Sequence, residues 1–142
     1  MKRLSTWATA LTITGVLLTG TTATASAELR APSIKGCGDW TSAVAGFTGW
    51  AKSTSDCALF GSPGWRVGYA WAVQAGSNAR ICVEGLGFVT PPSGPKKRKW
   101  YSMGCGPSGH GTAPWGNAAA YPEVRAKVQP GMGIIGLYRW RH

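Results

Sequence analysis

The chain of 142 residues carries 15 Lys and Arg against 5 Asp and Glu, a formal net charge of +10. This length predicts a single domain. No segment beyond the N-terminal region is apolar for the roughly 20 residues that a membrane-spanning helix needs. The positive charge favours anionic partners such as nucleic acid, acidic polysaccharide or an anionic cell surface, although it can equally serve solubility.

Residues 1–27 have the three parts of a secretory signal peptide. Lys2 and Arg3 precede a short, weakly apolar stretch, and a small-residue cleavage site follows. The stretch is too short and too rich in Thr and Gly for a membrane anchor. We therefore predict an extracellular protein with a flexible leader at 28–36 and one β-rich domain at 37–142.

The four cysteines predict two disulfides, because an even number in a short exported chain is typical of a disulfide framework. No C-x-x-C pair is present and the chain has 2 His, so neither a metal site nor a cofactor is expected. A hairpin centred between residues 93 and 94 places Cys82 opposite Cys105, within disulfide reach. The remaining bridge is then Cys37–Cys57.

The first part of the domain, residues 37–64, has an irregular pattern. A short helix near 41–51 and a loop-rich hairpin closed by the first disulfide fit it equally well. Residues 65–74 alternate between large β-formers and small or polar residues, which predicts a half-buried strand. After a turn at 75–78, the returning strand at 80–89 is apolar on both faces and belongs at the centre of a sheet.

A strand at 98–105 pairs with this central strand. The register that joins the two cysteines places Leu86 opposite Tyr101 and Glu84 opposite Met103. A glycine-dense connector follows the strand, and then a further strand at 112–120 that Pro114 restricts to an edge or a bulge.

The last part of the chain predicts a hairpin between 123–129 and 134–141. Its register places Glu123 opposite Arg141 and Arg125 opposite Arg139. The whole is a meander of about six strands, too many for one flat sheet to bury. The predicted fold is therefore an all-β, disulfide-stapled antiparallel sandwich or small barrel.

Catalytic motifs are absent from the sequence. It has no nucleophile elbow, P-loop, paired carboxylates or free-cysteine signature. An acid–base pair such as Glu84 with His110 leaves a small basic hydrolase, for example a ribonuclease, as an alternative. We predict a protein without enzymatic activity.

A run of four cations is the feature of the sequence that most suggests a binding function. Such residues repel one another and belong on an exposed loop tip, which can be simply solvated or can contact an anion. The predicted pair of facing arginines supports anion binding, because like charges across a strand pair are destabilising and an anion would relieve them. The predicted anion-binding residues are Lys96, Lys97, Arg98, Lys99, Arg125 and Arg139.

Tryptophan is abundant, with 8 in the chain. Trp65, Trp71 and Trp140 fall on predicted core faces. Trp100 and Trp115 lie in segments that favour exposure, so they are predicted to form an aromatic platform for sugar rings, bases or headgroups.

Three stretches, 81–88, 100–106 and 114–120, resemble segments of small secreted proteins of high-GC Gram-positive (actinobacterial) bacteria, a group with no assigned function. The resemblance implies bacterial secretion. No catalytic residue can be transferred from it.

The function expected from these features is that of a secreted, non-enzymatic binding module, monomeric, for an anionic polymer or a bacterial cell-surface component. One alternative is a secreted antimicrobial protein or an inhibitor that binds a secreted target protein. The other is the small basic hydrolase named above.

Overall fold

A computed structural model of the protein describes residues 36–131 and 135–142. The predicted signal peptide, and the leader apart from Gly36, lie outside the described residues. Within them the chain forms ten strands and no helix: β1 (Thr41–Ala45), β2 (Ala51–Thr54), β3 (Leu59–Phe60), β4 (Arg66–Val73), β5 (Ile81–Val89), β6 (Lys97–Gly106), β7 (Ser108–Pro114), β8 (Ala119–Ala120), β9 (Glu123–Val128) and β10 (Gly136–Arg141).

Eight of these strands form two antiparallel four-stranded sheets. Sheet A has the order β1-β10-β4-β7 and sheet B the order β2-β9-β5-β6, while β3 and β8 form a separate two-stranded ribbon. The two sheets are not closed into a barrel. The predicted all-β antiparallel fold is confirmed, and so is the central position of the strand that begins near residue 80.

Alternation along the strands builds the core. Every second residue of β9 and β10 is buried, as are Val67, Tyr69 and Trp71 in β4, and the residues between them are partly or fully exposed. One face of each sheet is therefore apolar, and the two faces cover each other. The largest fully buried side chains include Trp71, Trp115, Trp140, Tyr138, Ile81, Leu86, Val67, Val83 and Val124.

The buried aromatic residues also carry polar atoms that need partners. Trp140 Nε1 donates a hydrogen bond to Ser53 Oγ at 2.8 Å, and Tyr69 OH donates to the Leu86 carbonyl at 2.8 Å. Both bonds run from a strand of sheet A to a strand of sheet B. Burial raises the pKa of Tyr69 far above its ordinary value, so this hydroxyl stays neutral and remains a donor.

Both predicted disulfides are confirmed. Cys37 is bonded to Cys57 and Cys82 to Cys105. The second pair are register partners in β5 and β6, as the predicted hairpin centre required.

The β5–β6 pair contains a β-bulge next to Val83 and Glu84 that the sequence did not predict. Gly104 has a positive φ of 102°, a conformation that glycine tolerates best, and Met103 turns into the core. The extra residue shifts all later partners by one. The predicted pairs Leu86–Tyr101 and Glu84–Met103 are wrong, and the observed pairs are Leu86–Trp100 and Glu84–Ser102.

The predicted hairpin at the end of the chain is wrong. β9 pairs with β2 and β5 in sheet B, whereas β10 pairs with β1 and β4 in sheet A. Arg125 therefore lies opposite Glu84, and Arg139 lies opposite Ser42. The two arginines do not face each other, because each strand uses its apolar face to cover a different sheet.

The meander of about six strands also requires correction. Residues 41–51 form β1 and the start of β2 rather than a helix. The turn at 75–78 carries the chain from sheet A to sheet B, so β4 and β5 are not paired. The glycine-dense residues 104–111 complete β6 and begin β7, because glycines let these strands approach Trp71 and Met103 closely.

Candidate functional site

The predicted basic loop tip is largely a strand. The loop ends at Lys96, and Lys97, Arg98 and Lys99 are the first residues of β6. The three are exposed, as predicted. β6 is an edge strand of sheet B, and a run of cations is tolerated there because one side of the strand faces solvent.

Two of these cations already have partners within the protein. Lys96 donates to the side-chain oxygen of Asn117. Arg98 forms an ion pair with Glu123, the residue that the sequence placed opposite Arg141. An external anion would have to compete with these acceptors.

Arg125 is also held inside a cluster of its own sheet. Its Nε and Nη2 atoms both lie 2.6 Å from Glu84 Oε2. The centre of its guanidinium lies 4.8 Å from the ring centre of Trp50 and 4.9 Å from that of Trp100. Lys127 Nζ lies 4.8 Å from the same Trp50 ring. Arg125 is thus neutralised by a carboxylate and sandwiched between two indoles.

The predicted aromatic platform does not form, because Trp115 is only 1% exposed. Its Nε1 donates to the Ala118 carbonyl at 3.0 Å, and its ring packs edge-on to Phe88 at 5.0 Å. The loop after Pro114 folds back so that its own indole closes the end of the core. Trp65, predicted to be buried, is 38% exposed.

The candidate acid–base pair is not brought together either. Glu84 is in sheet B, between the inward-facing Val83 and Gly85. His110 is in sheet A, between Gly109 and Gly111, whose missing side chains would point into the core. The two side chains face outward from different sheets.

The outer face of sheet A is cationic, and none of its strands contains a carboxylate side chain. Its four strands contain Arg66, Arg139 and Arg141, and no Asp or Glu. The guanidinium centres of Arg139 and Arg141 lie 4.8 Å and 4.9 Å from the ring centre of Trp40. Among the described residues, neither arginine forms an ion pair. We call Trp40, Arg139 and Arg141 the sheet A cluster.

The sheet A cluster borders a shallow trough along β4. The floor of the trough consists of the outward-facing residues of β4, which are Gly68, Ala70 and Ala72. The opposite wall consists of the exposed side chains of β7, which are Ser108, His110 and Thr112. With two strand spacings between the walls, the trough is about 9–10 Å wide, enough for one extended chain.

Arg66 lies at one end of this trough. Its Nε donates to Thr112 Oγ1 at 3.1 Å, which holds the guanidinium against the β7 wall. Three arginines therefore surround a floor of small residues, and every polar side chain of the walls can donate a hydrogen bond.

The sequence reasoning identified Arg139 but missed Trp40, Arg141 and Arg66. Arg139 was predicted to bind anions because the predicted hairpin placed it opposite Arg125, and the structure does not place it there. The signal that would have identified the surface is the absence of Asp and Glu from all four strands of sheet A, but this signal can be seen only once the strands are assigned to sheets.

His142 packs at the end of β10, with its ring centre 6.2 Å from that of Trp140. Burial lowers the pKa of His142 below its ordinary value of 6.5. The unfolded chain therefore takes up the proton at a higher pH than the folded chain, so protonation favours unfolding. This contribution is absent above pH 6.5, grows as the pH falls below 6.5 and levels off below the lowered pKa.

We expect His142→Gln to remove a loss of stability that the wild type shows between about pH 7.5 and about pH 5. Urea denaturation at the two pH values measures it. His110→Gln is the matched control, because a change that both variants show would not be specific to His142. If the dependence of His142→Gln equals that of the wild type, the inferred burial of this imidazole has no energetic effect.

The described residues hold no group of three or more His, Cys, Asp or Glu placed to bind a metal ion. Within the same part of the chain, no helix combines the length and apolarity needed to cross a bilayer. Comparison with protein-family models, with curated proteins and with solved structures found no match.

Proposed function

We propose that this protein is an exported, non-enzymatic binding module that holds an anionic polymer along the outer face of sheet A. The observation that carries the proposal is the sheet A cluster, in which Arg139 and Arg141 lie against Trp40 in a sheet whose strands contain no carboxylate.

Stacking prepares these guanidiniums for a ligand. An arginine that lies against an indole loses conformational freedom before binding, while the edge of its fork remains free to donate hydrogen bonds. Such a fork binds phosphate, sulfate or carboxylate through two parallel bonds. Arg139 and Arg141 are two residues apart in β10, so their backbones lie about 7 Å apart on one face. A chain with regularly spaced anions can contact both.

The compartment fits this proposal. Two disulfides in a small domain are typical of an oxidising, extracytoplasmic environment. The signal-peptide pattern of residues 1–27 and the resemblance to small secreted actinobacterial proteins point the same way. An anionic polymer of the cell surface is the natural ligand for a basic protein released there.

The test compares two arginines with two lysines. We expect Arg139→Gln with Arg141→Gln to weaken binding to heparin about tenfold or more and to lower the salt concentration of elution, because two charge-assisted contacts are lost. If the ligand is duplex DNA, the slope of log affinity against log salt should fall by about 2. Titration over a range of salt concentrations gives both quantities.

The matched control removes the same charge from the edge of sheet B, with Lys97→Gln and Lys99→Gln. Both side chains are exposed and belong to the predicted basic run. An equal loss in the control would mean that net charge alone drives binding. A larger loss in the control would place the binding site at the predicted basic run on the edge of sheet B. Either of these two results would mean that the trough is not the binding site.

A further inference from the structure

One end of sheet A exposes large apolar side chains. Val44 in β1 and Leu137 in β10 are register partners and are 53% and 43% exposed. Ile135 precedes β10 and Phe47 follows β1 at this same end, and each is 62% exposed. We call these four residues the apolar end of sheet A.

A polar pocket adjoins the apolar end. The row next to Val44 and Leu137 consists of Ser42 and Arg139. Together with Gln74, these two residues line a cavity of about 300 Å³. The backbone N–H of Gln74 bonds the Leu137 carbonyl, which joins the pocket to the apolar strand. A guanidinium, a hydroxyl and an amide thus stand beside exposed aliphatic side chains, and no carboxylate lines the pocket.

We propose that this end of sheet A binds the surface of a lipid bilayer that contains anionic phospholipid. The apolar end enters the interface between headgroups and acyl chains, and a headgroup phosphate occupies the pocket beside Arg139. Interfacial binding gains strength from the buried apolar area and from attraction to anionic lipid, and here the two features are adjacent. This site goes beyond the polymer-binding trough and shares only Arg139 with it.

Charge complementarity favours a bilayer over a second copy of the chain. The strands of sheet A contain arginines and no Asp or Glu. Two copies that met through this face would bring the arginines of one sheet towards those of the other, and like charges repel. An anionic headgroup layer instead offers a counter-charge to the arginines and an apolar layer to Val44 and Leu137.

Flotation with vesicles tests the proposal. Protein from the culture medium of an export-competent host is mixed with vesicles of phosphatidylglycerol and phosphatidylcholine, or with vesicles of phosphatidylcholine alone. We expect the wild type to float with the anionic vesicles and Val44→Ser with Leu137→Ser to bind them about tenfold more weakly. Binding to phosphatidylcholine alone should be weaker for both.

Two further measurements separate this site from the polymer site. Val44→Ser with Leu137→Ser should keep wild-type retention on heparin, since neither residue lines the trough. A Val44→Thr and Leu137→Thr variant, which retains β-propensity better, should show the same loss of vesicle binding.

Four results would overturn the proposal: no wild-type binding to anionic vesicles, binding by both variants equal to that of the wild type, a loss of heparin retention alongside vesicle binding in the variants, or a wild-type dimer that the variants convert to monomers. The last would assign the apolar end to self-association. If Arg139→Gln with Arg141→Gln left heparin binding unchanged, that result would contradict only the polymer site.

Discussion

Trp140→Ala is expected to lower the free energy of unfolding by about 3–5 kcal/mol, the largest effect of any single substitution considered for this protein. The indole is 0% exposed and pairs in register with Trp71. Its removal leaves a cavity between the sheets and deprives Ser53 Oγ of the N–H that bonds it across them. A domain of this size has a total stability of only about 5–15 kcal/mol, so the variant should lie near the limit of folding.

Urea denaturation followed by far-UV circular dichroism measures the loss without relying on the altered fluorescence. Trp40→Ala is the matched control, because it removes an indole that lies outside the core against Arg139 and Arg141. It should cost at most about 1–2 kcal/mol while weakening polymer binding. Equal losses from Trp40→Ala and Trp140→Ala would contradict the assignment of one indole to the core and the other to the surface.

These two tryptophans also show what the sequence could reveal. Trp140 lies in a strict alternation with Tyr138, and period-2 patterns directly specify which residues share a face. Trp40 precedes the first strand, in a segment whose pattern fits more than one structure. Its partners, Arg139 and Arg141, come about 100 residues later in the chain, and no local pattern links them.

Strand partners were predictable only where a turn or a disulfide fixes them. The β5–β6 pair was found because a turn-rich segment and two cysteines define one centre, and Cys82 does face Cys105. The segment between β9 and β10 also contains glycines that favour a turn, yet the two strands belong to different sheets. The alternating pattern of each strand fits both a hairpin and a placement in two facing sheets, since in both cases its apolar face packs against other apolar residues.

Small irregularities had large consequences for the predicted site. The bulge at Gly104 shifts the register by one, so Trp100 rather than Tyr101 faces Leu86. This shift brings Trp100 beside Arg125, where it stacks on the guanidinium. A bulge changes which face a side chain occupies, and the sequence offers only a glycine as its sign.

Replacing both Cys82 and Cys105 by Ala is expected to lower the free energy of unfolding by about 3 kcal/mol. The bridge joins residues 23 apart in sequence, and in the chain-entropy model it stabilises the fold by restricting the unfolded chain. Cys105 is exposed and Cys82 half-buried, so the substitutions leave no large cavity in the core. The loss should therefore come mainly from the unfolded state.

An effect on the unfolded state has a signature that packing defects lack. Without the bridge the unfolded chain is more expanded and exposes more surface, so the slope of the unfolding free energy against urea should increase. Trp140→Ala, which acts on the folded state, should leave that slope unchanged. The Cys37 and Cys57 double Ala variant opens a loop of similar length, with a sequence separation of 20, and should show the same increase. An unchanged slope in both cysteine variants would mean that these bridges act through the folded sheets.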